Sequence, residues 1–189
     1  MQIKIHAART GRLLVLAWLL QEYGPDRLGL DEPLFTSAAG SGSVGLLAWL
    51  RERGCAWHAD AWEAAAGAGC VEALEWLAER GCPMPEEGKP YAVACRNGDM
   101  STARCLVRLG VPWGPPGGDC RCEVARIAPL PMLRWLLDAG CRLEPSDYTA
   151  AMAPIWPPWI PIPPTKRPEV LALLEQHARG GGGGLPPAE

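Results

Sequence analysis

A block of about 30 residues recurs along this chain, and that recurrence limits what it can fold into more than any other feature. In "AARTGRLLVLAW", Ala7, Ala8, Gly11 and Trp18 fall in register with Ala38, Ala39, Gly42 and Trp49 of "AAGSGSVGLLAW". Ala65, Ala66, Gly69 and Trp76 of "AAGAGCVEALEW" repeat the pattern. Next come Ala94, Cys95, Gly98 and Cys105 of "ACRNGDMSTARC", then Val124, Ala125, Ala128 and Trp135 of "VARIAPLPMLRW". The anchors at 11, 42, 69, 98 and 128 lie 31, 27, 29 and 30 residues apart. A sixth unit starts at "YTAAMAP", with Ala150 and Ala151 in the paired-small slots. It resumes at "PEVLALLEQHA" after a Pro-rich insertion.

Each unit reads as two short helices joined by a Gly turn. The paired small residues let the two helices approach closely. The second helix carries apolar residues at helical spacing, as in Val71, Leu74, Leu77 and Ala78, with Glu72, Glu75, Glu79 and Arg80 on the other face. A Gly then ends it, at Gly54, Gly81, Gly110 and Gly140, where a helix stop favours left-handed backbone. Neither helix buries its apolar face alone, so the units must stack on one another. The expected fold is all-α, an α-solenoid of about six stacked helix-turn-helix units. The expected layout is a repeat array over 1–153, a Pro-rich insertion at 154–165, a capping helix at 166–178 and a disordered Gly/Pro tail at 179–189.

The residues of "AAAGAGCVEALEWLAERGCPM" resemble the ankyrin repeat, whose core reads x-A-A-x-x-G-H-x-x-V-V-x-L-L-L-x-x-G-A. Ala65-Ala66, Gly69, Val71, Leu74, Trp76-Leu77 and Gly81 fall on those slots, and the resemblance extends over roughly residues 3–178. The chain departs from the family where a T-P-L-H opening belongs. The His slot holds Thr36, Glu63, Ala92, Cys122 and Tyr148, and only "KPYAVA" keeps the Pro. The period is also shorter than the family's ~33 residues, which implies trimmed or irregular fingers between units. Ala128-Pro129-Leu130-Pro131 breaks one inter-helix turn.

The resemblance implies a non-catalytic protein–protein interaction scaffold or subunit. Partners of such arrays usually meet the fingers and first helices. That expectation falls on His58, Asp60 and Glu63, on Glu86, Glu87, Lys89 and Tyr91, and on Asp119, Arg121 and Glu123. Trp156 and Trp159 lie in "APIWPPWIPIPP", where proline favours extended polyproline structure. They read either as a loop hiding its own aromatics or as a ligand for a partner's aromatic groove. The other Trp residues occupy repeated apolar slots and read as core: Trp18, Trp49, Trp76 and Trp135, Trp57 and Trp113, and Trp62. The first unit opens at once, with barely a first helix, and Ile3 and Ile5 would leave an apolar edge that either another protein covers or a longer array continues.

Eight Cys raise the question of metal or redox chemistry. Cys55, Cys82 and Cys141 share one slot directly after the terminal Gly, where the fourth copy has Val111. Interchange with Val marks a small buried apolar site. Cys55 and His58 form half a zinc pattern without a second half, and Cys120-Arg-Cys122 sits in an expected exposed finger. A Cys-based zinc or redox-sensitive module there is one alternative reading. Another is the substrate-binding fragment of a larger adaptor, such as a ubiquitin-ligase subunit. The three His are scattered and no nucleophile elbow, phosphate loop or HExxH pattern occurs, so neither enzyme activity nor a cofactor is expected. A net charge of −3 gives nucleic acid no electrostatic footing. No apolar run reaches the ~20 residues of a membrane span. The expected location is cytoplasmic or nuclear, with reduced thiols.

Overall fold

The computed structural model describes residues 2–151 and 167–179, and among them the chain is all-helical, without a strand. Its helices are α1 (Gln2–Arg9), α2 (Leu13–Leu28), α3 (Glu32–Ala39), α4 (Val44–Glu52), α5 (Asp60–Gly67) and α6 (Val71–Glu79). They continue with α7 (Lys89–Asn97), α8 (Met100–Arg108), α9 (Asp119–Ile127), α10 (Leu130–Asp138), α11 (Pro145–Ala151) and α12 (Arg167–Arg179). The chain divides into two compact units. The first comprises Met1–Pro85 and Ser101–Val111, and the second Glu86–Met100 and Pro112–Glu189.

The predicted Gly stops fall where the repeat put them. Gly54, Gly81, Gly110 and Gly140 take φ of 75°, 73°, 72° and 97°. The next residue's N–H then reaches back across the last turn: Cys55 to Leu50 O, Cys82 to Leu77 O, Val111 to Leu106 O and Cys141 to Leu136 O, at 2.9–3.0 Å. Each Gly N–H closes the inner bond, as Gly54 does to Arg51 O at 3.0 Å. This is the Schellman arrangement, and it turns the residue after the Gly inward against the helix it has just left. Cys55, Cys82, Val111 and Cys141 are accordingly all buried. At the broken turn, Ala128 takes φ −59° and ψ 133°, and Pro129 leads straight into α10. Proline's fixed φ suits a helix entry, so the unit keeps its second helix without the left-handed residue.

In the first unit, α1 packs on α3 and α3 on α5, while α2, α4 and α6 pack against their neighbours α1, α3 and α5. The paired-small slots make this possible: Ala7, Ala8, Ala38, Ala39, Ala65 and Ala66 are all buried where the helices meet. Leu16, Leu34, Phe35, Leu46, Leu47, Leu50, Trp62, Leu74 and Leu77 fill the core between them. Asp31 and Ser43 cap α3 and α4, accepting from Leu34 N–H at 3.1 Å and Leu46 N–H at 3.3 Å. Gly24, at φ 74°, interrupts α2 just before Pro25. An Arg108–Glu75 ion pair joins α8 to α6.

One feature of the first unit differs from expectation. The first helix is complete, at eight residues as long as α3 and α5. It is anchored by Lys4, only 5% exposed, whose Nζ donates to Leu28 O at 2.8 Å, Gly29 O at 2.9 Å and Asp31 Oδ2 at 2.9 Å. All three ammonium protons are thereby satisfied in a place a Lys rarely occupies. Lys4→Met should leave these acceptors without their donor and cost about 2 kcal/mol, allowing for the partly solvated Asp31. The urea-unfolding midpoint measures it, and an unchanged midpoint would show that water replaces the ammonium at no cost.

In the second unit, α7 packs on α9 and α9 on α11, and α12 lies against α10 and α11. Tyr91, Ala94, Cys95, Val124, Ala125, Met132, Leu133, Leu136 and Leu174 are buried here. The loops 86–88 and 113–114 meet backbone to backbone. A Cβ on Gly88 would lie 2.3 Å from Trp113 O, and one on Gly114 would lie 2.5 Å from Glu87 O. The segment before α12 is outside the described residues, and with it the insertion at 154–165. The helix expected at 166–178 is α12.

Candidate functional site

The residues expected to meet a partner are scattered in role. In the first unit, His58 Nδ1 lies 3.3 Å from Asp60 Oδ2 at the entry to α5, both exposed, and Glu63 is half-buried one turn on. In the second unit, Glu86 is exposed, and Lys89 Nζ pairs with Glu87 Oε2 at 2.8 Å. That hydrogen bond and charge hold the Glu87 carboxyl below its usual range. Tyr91 is a correction: it is 2% exposed, its ring stacked on Trp113 with centroids 4.0 Å apart. It sits on the inward side of α7, so it packs the loop junction instead of facing a partner.

Asp119, Arg121 and Glu123 lie at the start of α9, and with them Cys120 and Cys122, which were expected in an exposed finger. Arg121 is a brace: Nε donates to Gly114 O at 3.0 Å and Nη1 to Arg142 O at 2.6 Å. Glu123 pairs with Arg96 on α7. Only Asp119 of this trio is exposed and without a bond among the described residues. Trp156 and Trp159 lie outside the described residues.

The thiols sort by burial. Desolvation pushes Cys55 and Cys82 up to about 11 and Cys95 and Cys141 up to about 12. Trp62 N–H and the Arg51 guanidinium oppose the rise at Cys82. Trp62 Nε1 has no hydrogen bond of ordinary geometry and faces that weak sulfur acceptor. Cys70, Cys120 and Cys122 are part-exposed. Among the described residues, no three His, Cys, Asp or Glu side chains gather as a metal-binding group. Maleimide should therefore modify Cys70, Cys120 and Cys122 first. The buried five should lag about a hundredfold, the factor set by a local opening of ~2.7 kcal/mol. Equal rates for Cys55 and Cys122, read by peptide mapping, would overturn the assignment.

A second correction concerns the Trp residues of the second helices. They are not core. Trp18 is 54% exposed, and Trp49, Trp76 and Trp135 are half-buried, whereas Trp62 alone of the described Trp residues is fully enclosed. In the first unit these half-open rings carry cations. Arg53 Cζ lies 4.1 Å over the Trp49 ring and Arg80 Cζ 5.8 Å from the Trp76 centroid. Arg51 stacks 3.9 Å over Trp57 and donates Nη1 to Cys55 O at 2.5 Å. On α2, Trp18 meets Tyr23 edge-on at 6.4 Å, with Arg27 5.9 Å from the Tyr23 centroid. Leu14 on α2 and Ile3 on α1 are 82% and 67% exposed.

No family model matches this chain, and no curated protein or solved structure matches it either. The chain's own geometry therefore carries the functional argument. Its least explicable feature for packing is the aromatic–arginine row on α2, α4 and α6. The signal for part of it was in the sequence. Trp49 and Arg53, and Trp76 and Arg80, are four residues apart on a helix, a spacing that brings side chains together on one face. A ring whose neighbour at that distance is Arg stands at the edge of the apolar stripe, not in its centre. Among the described residues, no helix is long and apolar enough to cross a membrane.

Proposed function

We propose that the chain is a non-catalytic protein-interaction scaffold, built from ankyrin-like helix pairs that stack as a solenoid of about six units. Its contact face is the row of Trp and Arg side chains on α2, α4 and α6, and the finger charges contribute only at its margin. One observation carries this reading: Trp49 and Trp76 occupy the same slot one repeat apart, each half-open and each with an Arg four residues later. Packing does not require an aromatic there, since Cys105 holds the slot in the next copy. Half-exposed Trp beside Arg is the composition of interface hot spots, where a rigid ring gives large contact area at low entropic cost. Catalysis finds less support. Among the described residues, His58 pairs with the Asp60 carboxylate, and no three His, Cys, Asp or Glu side chains gather as a metal-binding group.

Affinity purification with the folded wild type and a Trp49→Ser/Trp76→Ser variant tests the proposal. A protein recovered in near-stoichiometric amount with the wild type and lost with the variant supports the face. Equal recovery from both would move the contact elsewhere, and no reproducible companion would remove the scaffold reading.

A further inference from the structure

A groove of about 330 Å³ opens in the first unit between α4 and α6, lined by Ala48, Arg51, Glu52, Trp57, Trp76 and Arg80. Its two indoles stand nearly at right angles, centroids 6.4 Å apart and planes at 73°. Buried Phe35 backs both, 5.8 Å from Trp57 and 6.5 Å from Trp76. The rings are thus held rigidly from behind and left part-open in front.

The polar chemistry of this groove is one-sided. Among the described residues, the indole N–H groups of Trp57 and Trp76 have no acceptor, and Arg80 forms no hydrogen bond or ion pair. Arg51 donates one N–H to Cys55 O, lies over the Trp57 ring and lines the groove. The site therefore offers several donors and ring faces against a single carboxylate, Glu52. A polyproline segment is the complement. Its proline rings slot between aromatic ridges, it lacks the proline N–H donors, and its carbonyls are engaged in no internal bonds.

This chain carries such a segment. Residues 154–164, "PIWPPWIPIPP", place Pro154 and Pro157, then Pro158, Pro161 and Pro164, at intervals of three residues. Three residues make one polyproline turn, so prolines at that interval share one ridge of a polyproline helix. The segment belongs to the 15 residues between α11 and α12 that the described structure does not include. We propose that the Trp57–Trp76–Arg80 groove of one copy binds the proline-rich segment 154–164 of a second copy. The contact is heterologous, so two copies close it reciprocally or further copies extend it. It shares Trp76 with the proposed scaffold face, but it needs no other protein.

The test uses purified full-length chain alone, so its failure leaves the role of the Trp–Arg row toward other proteins to the purification experiment. In sedimentation equilibrium the wild-type mass should rise with concentration, and Pro157→Ser/Pro158→Ser/Pro161→Ser should abolish the rise. A labelled peptide of residues 153–165 should bind that triple variant. Trp57→Ala should weaken the peptide by about tenfold or more, as a hot-spot ring does. Arg80→Glu, an exposed and unbonded position, should weaken it in the same direction with folding intact. A monomer mass at all concentrations, including the case where the peptide binds only once the chain's own segment is altered, would overturn exchange between copies. Peptide affinity indifferent to both groove variants, or association that persists in the triple variant, would overturn the groove.

Discussion

Gly88→Ala should lower stability by about 3 kcal/mol or more and erase the near-ultraviolet signal of the Tyr91–Trp113 stack. Two costs combine. At φ +73°, an added Cβ meets left-handed strain of about 1–2 kcal/mol. It would also stand 2.3 Å from Trp113 O and 2.7 Å from Trp113 C, which are backbone atoms. A flexible side chain would swing away, but here the 113–114 loop must move. That loop holds the ring stacked on Tyr91 at 4.0 Å and carries Gly114, whose carbonyl accepts from Arg121 at 3.0 Å. Gly117→Ala supplies the control: φ is +69° with nothing within 4 Å of the new Cβ, so only the backbone strain remains. Urea unfolding and near-ultraviolet circular dichroism compare the two. Equal losses would mean that the close approach of the loops contributes nothing.

Alkaline pH should destabilise the chain through its buried thiols. An unfolded cysteine ionises with a pKa of 9.0, whereas Cys55 and Cys82 are raised to about 11 and Cys95 and Cys141 to about 12. At pH 10 the unfolded chain has released these protons and the folded chain has kept them. The stability linked to each thiol is present in full below pH 9 and is lost as the pH rises toward 11–12. One unit above the unfolded value, each buried thiol costs about 1.4 kcal/mol. Unfolding free energies at pH 8 and pH 10 should therefore fall steeply for the wild type. The Cys55→Val/Cys82→Val/Cys141→Val variant should lose much less, because Val111 shows that the slot accepts valine. A loss as large as the wild type's would assign the alkaline sensitivity to other groups.

Much of the local structure was legible because it is local. Gly54, Gly81, Gly110 and Gly140 each follow an apolar stripe, and a helix stop needs only its own last turn to be recognised. The burial of Cys55, Cys82 and Cys141 followed from comparing copies, since the same slot accepts Val. The site was less legible. Repeated apolar occupancy marked Trp49 and Trp76 as core, yet occupancy does not separate the middle of a stripe from its rim. A half-open ring against an Arg side chain and an enclosed ring such as Trp62 both look apolar in sequence. Cys120 and Cys122 were expected in an exposed finger because "GPPGGD" precedes them, but the helix begins at Asp119 itself.

The sequence by itself determined where the second helices stop and which small residues lie where the helices meet, because periodicity and left-handed glycine act within one or two turns. Only the tertiary structure decided that Lys4 is buried against Leu28, Gly29 and Asp31, that Gly88 and Gly114 admit no side chain, and that Tyr91 turns inward onto Trp113. It also decided that Trp57 and Trp76 meet at a right angle over Phe35. These contacts join residues 19 to 41 positions apart, as in Trp57–Trp76 and Phe35–Trp76. Such pairs leave no periodic trace in the chain, and their geometry exists only once the helices have packed.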